Sequence, residues 1–175
     1  TSQFVSSLAN RAIAELTTGD LSQTERVKRF RTLLTDAFDI PLIGRFVLGR
    51  YWRTASETER AEYLKVFEDF IVQTYAQRFT DFRDAQVNVT QTKTSQDGDV
   101  TATVDVGVNG KQPTRLDIRL RREASTFKIF DVVVEGVSMS VTQRDDFAAV
   151  IQRNGGKVEG LIASLRDKIQ SASAQ

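Results

Sequence analysis

Residues 97–121 read DGDVTATVDVGVNGKQPTRLDIRLR, and this stretch decides the fold. Val100, Ala102, Val104, Val106 and Val108 alternate with polar residues, the two-residue period of a strand with one apolar face. Asp97-Gly98 before them and Asn109-Gly110 after them are hairpin dipeptides, because Gly and short polar residues tolerate the positive φ of tight turns. Leu116, Ile118 and Leu120 resume the alternation, interleaved with Arg115, Asp117, Arg119 and Arg121. On the N-terminal side Val87 and Val89 alternate in the same way. On the C-terminal side a strand from Phe127 to Glu135 loses its alternation at Val132-Val133-Val134, which predicts a bulge or burial on both faces. Four strands in hairpin succession make an antiparallel meander.

Outside this stretch the period changes to that of a helix. Phe4, Val5, Leu8, Ala12, Ile13 and Leu16 recur every three or four residues until Gly19. Ser22 with Glu25 forms a capping box for a second helix carrying Val27, Phe30, Leu34, Ala37 and Phe38. A short helical segment runs from Pro41 to Leu48. Ser56 with Glu59 opens the longest helix, about residues 57–81, with Tyr63, Leu64, Phe67, Phe70, Ile71, Tyr75, Phe79 and Phe82 on its inner face. Helices return at about 142–153 and 156–169, parted by Asn154-Gly155-Gly156. The expected fold is therefore α+β: a four-stranded antiparallel meander with about six helices packed on it. No linker or repeat divides residues 1–175, which read as one domain with a frayed tail at 170–175.

Composition removes whole classes of chemistry. The chain has no Cys and no His, so thiolate nucleophiles, disulfides and imidazole bases or ligands are excluded. Lys plus Arg is 24 against 23 for Asp plus Glu, so no net field draws it to nucleic acid. No run nears the ~20 apolar residues of a membrane span. Catalytic constellations are poor: Ser138 and Ser140 lack a base, and Asp145-Asp146 read as a helix start favoured by its dipole. The expectation is no catalytic residue, no metal and no cofactor.

Two features remain. There are eleven Phe against three Tyr and one Trp, and Phe38, Phe46, Phe67, Phe70, Phe79 and Phe147 fall on faces directed at the sheet. Periodicity does not separate a filled Phe-rich core from a cavity lined by the same rings. Arginines form two groups. Arg115, Arg119 and Arg121 share one face of the third strand with no aromatic interleaved, as a solvated face or a docking patch. Arg45, Arg50 and Arg53 bracket Tyr51-Trp52, as ordinary surface charge or a phosphate contact.

Three stretches resemble one family. Residues 46–60, FVLGRYWRTASETER, followed by Tyr63–Ile71 and Tyr75, are similar to a Leu-Gly-x-Tyr-aromatic segment leading into an aromatic-rich helix. Residues 113–121 match in the third strand. Residues 127–139, FKIFDVVVEGVSM, resemble an aromatic-x-x-x-Asp-x-x-x-Glu-Gly-Val-Ser-hydrophobic signature, the most specific of the three. Together they identify the chain as resembling the MlaC, or toluene-tolerance, family of periplasmic phospholipid-binding proteins. Trp52 stands where the family often has Tyr, and Phe127 where it often has Trp.

The resemblance implies an apolar pocket between sheet and helices that takes acyl tails, with bound phospholipid as cargo and no other cofactor. It implies a periplasmic monomer, its export signal removed, that shuttles lipid between outer and inner membranes and maintains outer-membrane asymmetry. The implied partners are an outer-membrane lipoprotein–porin complex and an inner-membrane ABC transporter with a substrate-binding ring. On that basis the expected lining is Phe38, Ile43, Val47, Tyr51, Phe67, Phe70, Ile71 and Tyr75 from helices, and Val104, Val106, Leu116, Ile118, Val132 and Val134 from strands, closed by Val137 and Met139. Arg45, Arg50, Arg53, Arg115, Arg119 and Arg121 would meet a headgroup or dock a partner. Alternatives are another lipid such as a hopanoid, or a cone-shaped α+β isomerase or dehydratase. The latter needs Asp105 or Asp131 facing inward.

Overall fold

The structure, a computed structural model, describes residues 1–17 and 19–173. Its elements run α1 (Ser2–Leu16), α2 (Gln23–Ala37), α3 (Ile40–Leu48), α4 (Tyr51–Thr54) and α5 (Glu57–Tyr75), then a 3-10 helix (Ala76–Phe82). Next come β1 (Gln86–Thr94), β2 (Val100–Gly107), β3 (Thr114–Glu123), β4 (Thr126–Val134) and β5 (Val137–Ser138), and last α6 (Met139–Arg153) and α7 (Val158–Ser173). The class is α+β, as the period change predicts. The sheet is an antiparallel meander in the order β1-β2-β3-β4-β5, one short strand more than expected. Residues form two compact units. One holds Thr1–Asp39 with Ala76–Met139, and the other holds Ile40–Tyr75 with the chain from Ser140 on.

The first unit is built on the sheet. Val100, Ala102, Val104, Leu120, Phe127 and Ile129 are buried on one face, closed by Val5 of α1. Phe4 lies 5.8 Å from the Phe127 ring, so α1 covers the end of the sheet near the β3–β4 turn. The C-terminus of α2 is tied down twice. Lys128 Nζ donates to the carbonyls of Thr35 (3.1 Å) and Asp36 (2.7 Å), a cation at a helix's negative end. The Asp39 N–H donates to Ile129 O at 2.9 Å.

Two local irregularities shape β4. Its register with β3 shifts between Arg119↔Asp131 and Leu120↔Ile129, so Phe130 is an extra residue. The bulge lies just before the valine triplet and not within it. Behind it, Glu135 (φ 49°) and Gly136 (φ 84°) form the two-residue turn between Val134 and its partner Val137. Positive φ at both central positions is the turn whose twist matches a hairpin.

The second unit is helical. Both halves of the Ser56–Glu59 capping box are made: Ser56 N–H donates to Glu59 Oε1 (2.9 Å), and Glu59 N–H donates to Ser56 Oγ (3.1 Å). Tyr63, Phe67, Phe70 and Phe147 form its aromatic core, with ring centroids 5.8–6.5 Å apart. α3 approaches α5 closely at Gly44, where a Cβ would stand 2.8 Å from Leu64 Cδ2 and 3.1 Å from Phe67 Cδ1. At the same point the buried Tyr63 hydroxyl donates to Gly44 O at 2.7 Å.

Several boundaries differ from expectation. The long helix ends at Tyr75, and the remaining turns to Phe82 are 3-10. α6 begins at Met139, so Asp145 and Asp146 lie beyond its first turn and do not meet its N-terminal dipole. α7 continues to Ser173 where fraying was expected from 170; residues 174 and 175 lie outside the described residues. Phe46 is 42% exposed and Phe82 38%, against inward placement of both.

Gly136 and Gly107 make a paired test of the turn, since a Cβ at either meets nothing within 4 Å. Gly136→Ala is expected to cost about 1–2 kcal/mol from its left-handed φ alone. Gly107→Ala is expected to be neutral or stabilising by under about 1 kcal/mol. Urea unfolding of the two variants checks both.

Candidate functional site

Residue by residue, the expected sheet lining falls on one face. Val104 and Val106 of β2 pair in register with Leu116 and Thr114 of β3. Leu116 and Ile118 pair with Val134 and Val132 of β4. The bulge at Phe130 is what lets Val132 and Val134 share this face with Ile129 and Phe127. Burial along it is graded. Val104 is 1% exposed, whereas Val106, Leu116, Ile118, Val132 and Val134 remain half-buried. Phe38, from the end of α2, packs against the same cluster and is itself half-buried. Five aliphatic side chains left partly open on a single face form a continuous greasy strip. Val137 and Met139, expected to close it, are 59% and 37% exposed.

The helical half of the expected lining divides. Val47, Phe67 and Phe70 are buried in the packed interior of the helical unit, and both rings touch Phe147. Ile43, Tyr51, Ile71 and Tyr75 are half-buried.

Polar groups gather on the other face of the sheet. Thr103 Oγ1 donates to Asp117 Oδ1 at 2.7 Å. Ser138 Oγ donates to the buried Asp131 carboxylate at 2.6 Å, tying β5 to β4. Asp105 sits opposite Arg115, and Asp131 opposite Arg119, in the register. Both carboxylates thus occupy the face away from the aliphatic strip. Glu135 Oε1 accepts the Arg115 N–H at 2.8 Å. Asp131, Glu135, Gly136 and Ser138 of the 127–139 signature therefore work as one turn-and-pin device.

Arginines on that face are not free of aromatics, contrary to the sequence reading. Arg119 and Arg121 both lie 5.0 Å from the centre of the Phe130 ring. Arg121 also grips Asp99 through two bonds of 2.9 Å, and Arg115 is exposed. The signal was present in the sequence as Phe130, but strict alternation assigns it to the wrong face. In the helical unit Arg50 lies 5.0 Å over the Tyr51 ring and donates to its hydroxyl at 2.9 Å. That hydrogen bond holds the Tyr51 phenol below its ordinary range. Burial pushes the Tyr63 phenol far above it. Arg45 and Arg60 lie 5.8 Å and 5.1 Å from the Trp52 ring. Among the described residues no cluster of His, Cys, Asp or Glu could hold a metal, and no helix is long and apolar enough to cross a membrane.

The family model described as MlaC protein matches residues 6–167. The intermembrane phospholipid transport system binding protein MlaC of Haemophilus influenzae is 26% identical over 136 residues, which is 75% of this chain and 61% of that protein. The match thus spans less than two thirds of that relative's length. A phospholipid-binding protein from Ralstonia solanacearum, solved in complex with a phospholipid, shares the fold. Its TM-score is 0.82 over 98% of each chain, at 23% identity.

Ultraviolet titration separates the tyrosines. Tyr51 is expected to ionise below the usual phenol value of about 10, and Arg50→Ala to move it back up. The stability that neutral Tyr63 contributes is present below pH ~10 and falls as pH rises above it, because the unfolded phenol ionises first. Tyr63→Phe should flatten that alkaline decline in unfolding free energy.

Proposed function

The chain belongs to the MlaC family, and from that premise we propose that it is a single-domain, monomeric, non-enzymatic carrier of phospholipid. One observation carries the reading: Val106, Leu116, Ile118, Val132 and Val134 lie on one sheet face as a half-buried aliphatic strip. Acyl tails cover that strip, with Phe38 of the same unit packed beside it. Each tail methylene kept from water is worth about 0.8 kcal/mol, so two tails of about 15 methylenes represent roughly 24 kcal/mol. A carrier must match most of this, yet not exceed what the bilayer offers. Smooth hydrocarbon walls do so without selecting a headgroup.

The phosphate stays in water, and the arginines serve docking. Arg115, Arg119 and Arg121 face a partner, with Phe130 as the apolar centre of the patch. In this reading the protein works in the periplasm between an outer-membrane lipoprotein–porin complex and an inner-membrane transporter with a substrate-binding ring, and so sustains outer-membrane asymmetry. The names of the matched relatives support lipid transport as the task.

Native mass spectrometry of the purified protein tests the carrier. Bound phospholipid with mixed headgroups is expected. Ile118→Glu, which places a carboxylate on the strip, should cut bound lipid at least tenfold while circular dichroism shows the fold kept. Lipid content unchanged in that variant would overturn the assignment of the strip.

A further inference from the structure

The helical unit carries a second feature that cargo binding does not use. Leu42, Arg45, Phe46, Gly49, Trp52, Arg53 and Arg144 line a surface hollow of about 350 Å³. No carboxylate is among these residues. Among the described residues Arg45, Arg53 and Arg144 form no ion pair. Three uncompensated cations around one hollow repel one another, so the arrangement favours an anion.

Two of the three guanidiniums are held in place by rings. Arg144 lies 4.8 Å from the Phe46 centre, and its stem runs past Gly49, where a Cβ would stand 3.4 Å from it. Arg45 covers Trp52, whose carbonyl also accepts the Arg60 Nε–H at 2.8 Å. An arginine stacked on a ring keeps its edge N–H groups for in-plane oxygens, which suits phosphate. Gly49 has φ 62°, and that left-handed turn is what brings α3 and α4 round the hollow.

We propose that this hollow is a docking site for the surface of an anionic bilayer, with Arg45, Arg53 and Arg144 on lipid phosphates and Phe46 in the headgroup layer. Phe46 decides between sources of the anion. It is 42% exposed beside the arginines. A soluble oxyanion uses the donors and leaves the ring in water, whereas a bilayer interface takes both. Such contact brings a carrier to the membrane without a membrane-spanning segment. The site goes beyond the carrier reading, and its test needs no cargo.

The test is co-sedimentation of the full chain with vesicles of phosphatidylglycerol mixed with phosphatidylcholine, and with phosphatidylcholine alone. Binding is expected only to the anionic vesicles, and it should collapse as salt shortens the Debye length from about 30 Å to about 8 Å. Each arginine near an anionic surface is worth about fivefold, so Arg45→Gln with Arg53→Gln should weaken binding about 25-fold. Both residues are exposed, so the pair removes charge at the cost of one ring contact, that of Arg45 with Trp52. Phe46→Ser should weaken binding further. Equal binding to neutral vesicles, or unchanged binding of the double variant, would overturn the proposal. So would displacement by millimolar inorganic phosphate, which marks a soluble oxyanion pocket. Displacement by polyglutamate at matched charge would likewise assign the surface to an acidic protein. Native mass spectra of the wild-type samples report the carrier reading separately. Absence of co-purified lipid sinks that reading alone, and absence of vesicle binding with lipid present sinks this one alone.

Discussion

Phe130 is one residue more than β3 can pair with, and the sheet's two chemistries depend on where that surplus is placed. Side chains alternate along a strand, so a strict β4 would turn Phe127 and Ile129 away from Val132 and Val134. The bulge resets the phase between them. All four then join the face that holds Val104, Leu116 and Ile118. The surplus ring goes to the other side, where Arg119 and Arg121 flank it. A continuous hydrocarbon face and an arginine–aromatic face thus arise from a single insertion.

The hairpin that follows keeps this phase from slipping. Glu135 and Gly136 adopt the positive φ values of a twist-matched turn, and the Glu135 carboxylate takes the Arg115 N–H. Ser138 then closes on Asp131, the first residue after the bulge. A one-residue slip of β4 against β3 would break the Glu135–Arg115 bond as well as exposing its valines. The same logic holds at the other end of the strand, where Lys128 caps α2 and the Ile129 carbonyl receives Asp39.

Much of this was legible before any coordinates. Alternation from Val100 to Leu120, with Asp-Gly and Asn-Gly between hydrophobic runs, specifies a meander because few other backbones satisfy both signals. The Ser56–Glu59 box specifies a helix start through two hydrogen bonds that depend only on local spacing. Where tertiary contact decides, the sequence was silent or misleading. Periodicity carries α5 on to residue 81, yet the chain tightens to 3-10 after Tyr75, where Phe79 turns onto Phe30 of α2. The position of the bulge is a long-range property of β3 and β4 together, so the valine triplet marks it only approximately. Phe46 carries the same apolar label as Phe67 and Phe147, yet it stays outside, with Arg144 over its ring.

The rings and the aliphatic strip also answer different physical demands, which the composition alone blends together. Tyr63, Phe67, Phe70 and Phe147 meet stacked, edge to face or tilted, with a buried hydroxyl anchored on Gly44, and so fix one geometry. The strip is largely valine and isoleucine, whose branched side chains are already stiff at χ1. Covering such a surface with hydrocarbon orders little that was free, and it imposes no directional contact on the chain that covers it. In the carrier proposed here that is the useful property: affinity scales with methylenes buried, as it does in a bilayer, so uptake and release stay nearly balanced. A polar anchor on the strip would tilt that balance toward one headgroup and hold it there. The sheet instead keeps Asp105, Asp117 and Asp131 on its opposite side, and the same bulge that completes the strip puts Phe130 there with the arginines.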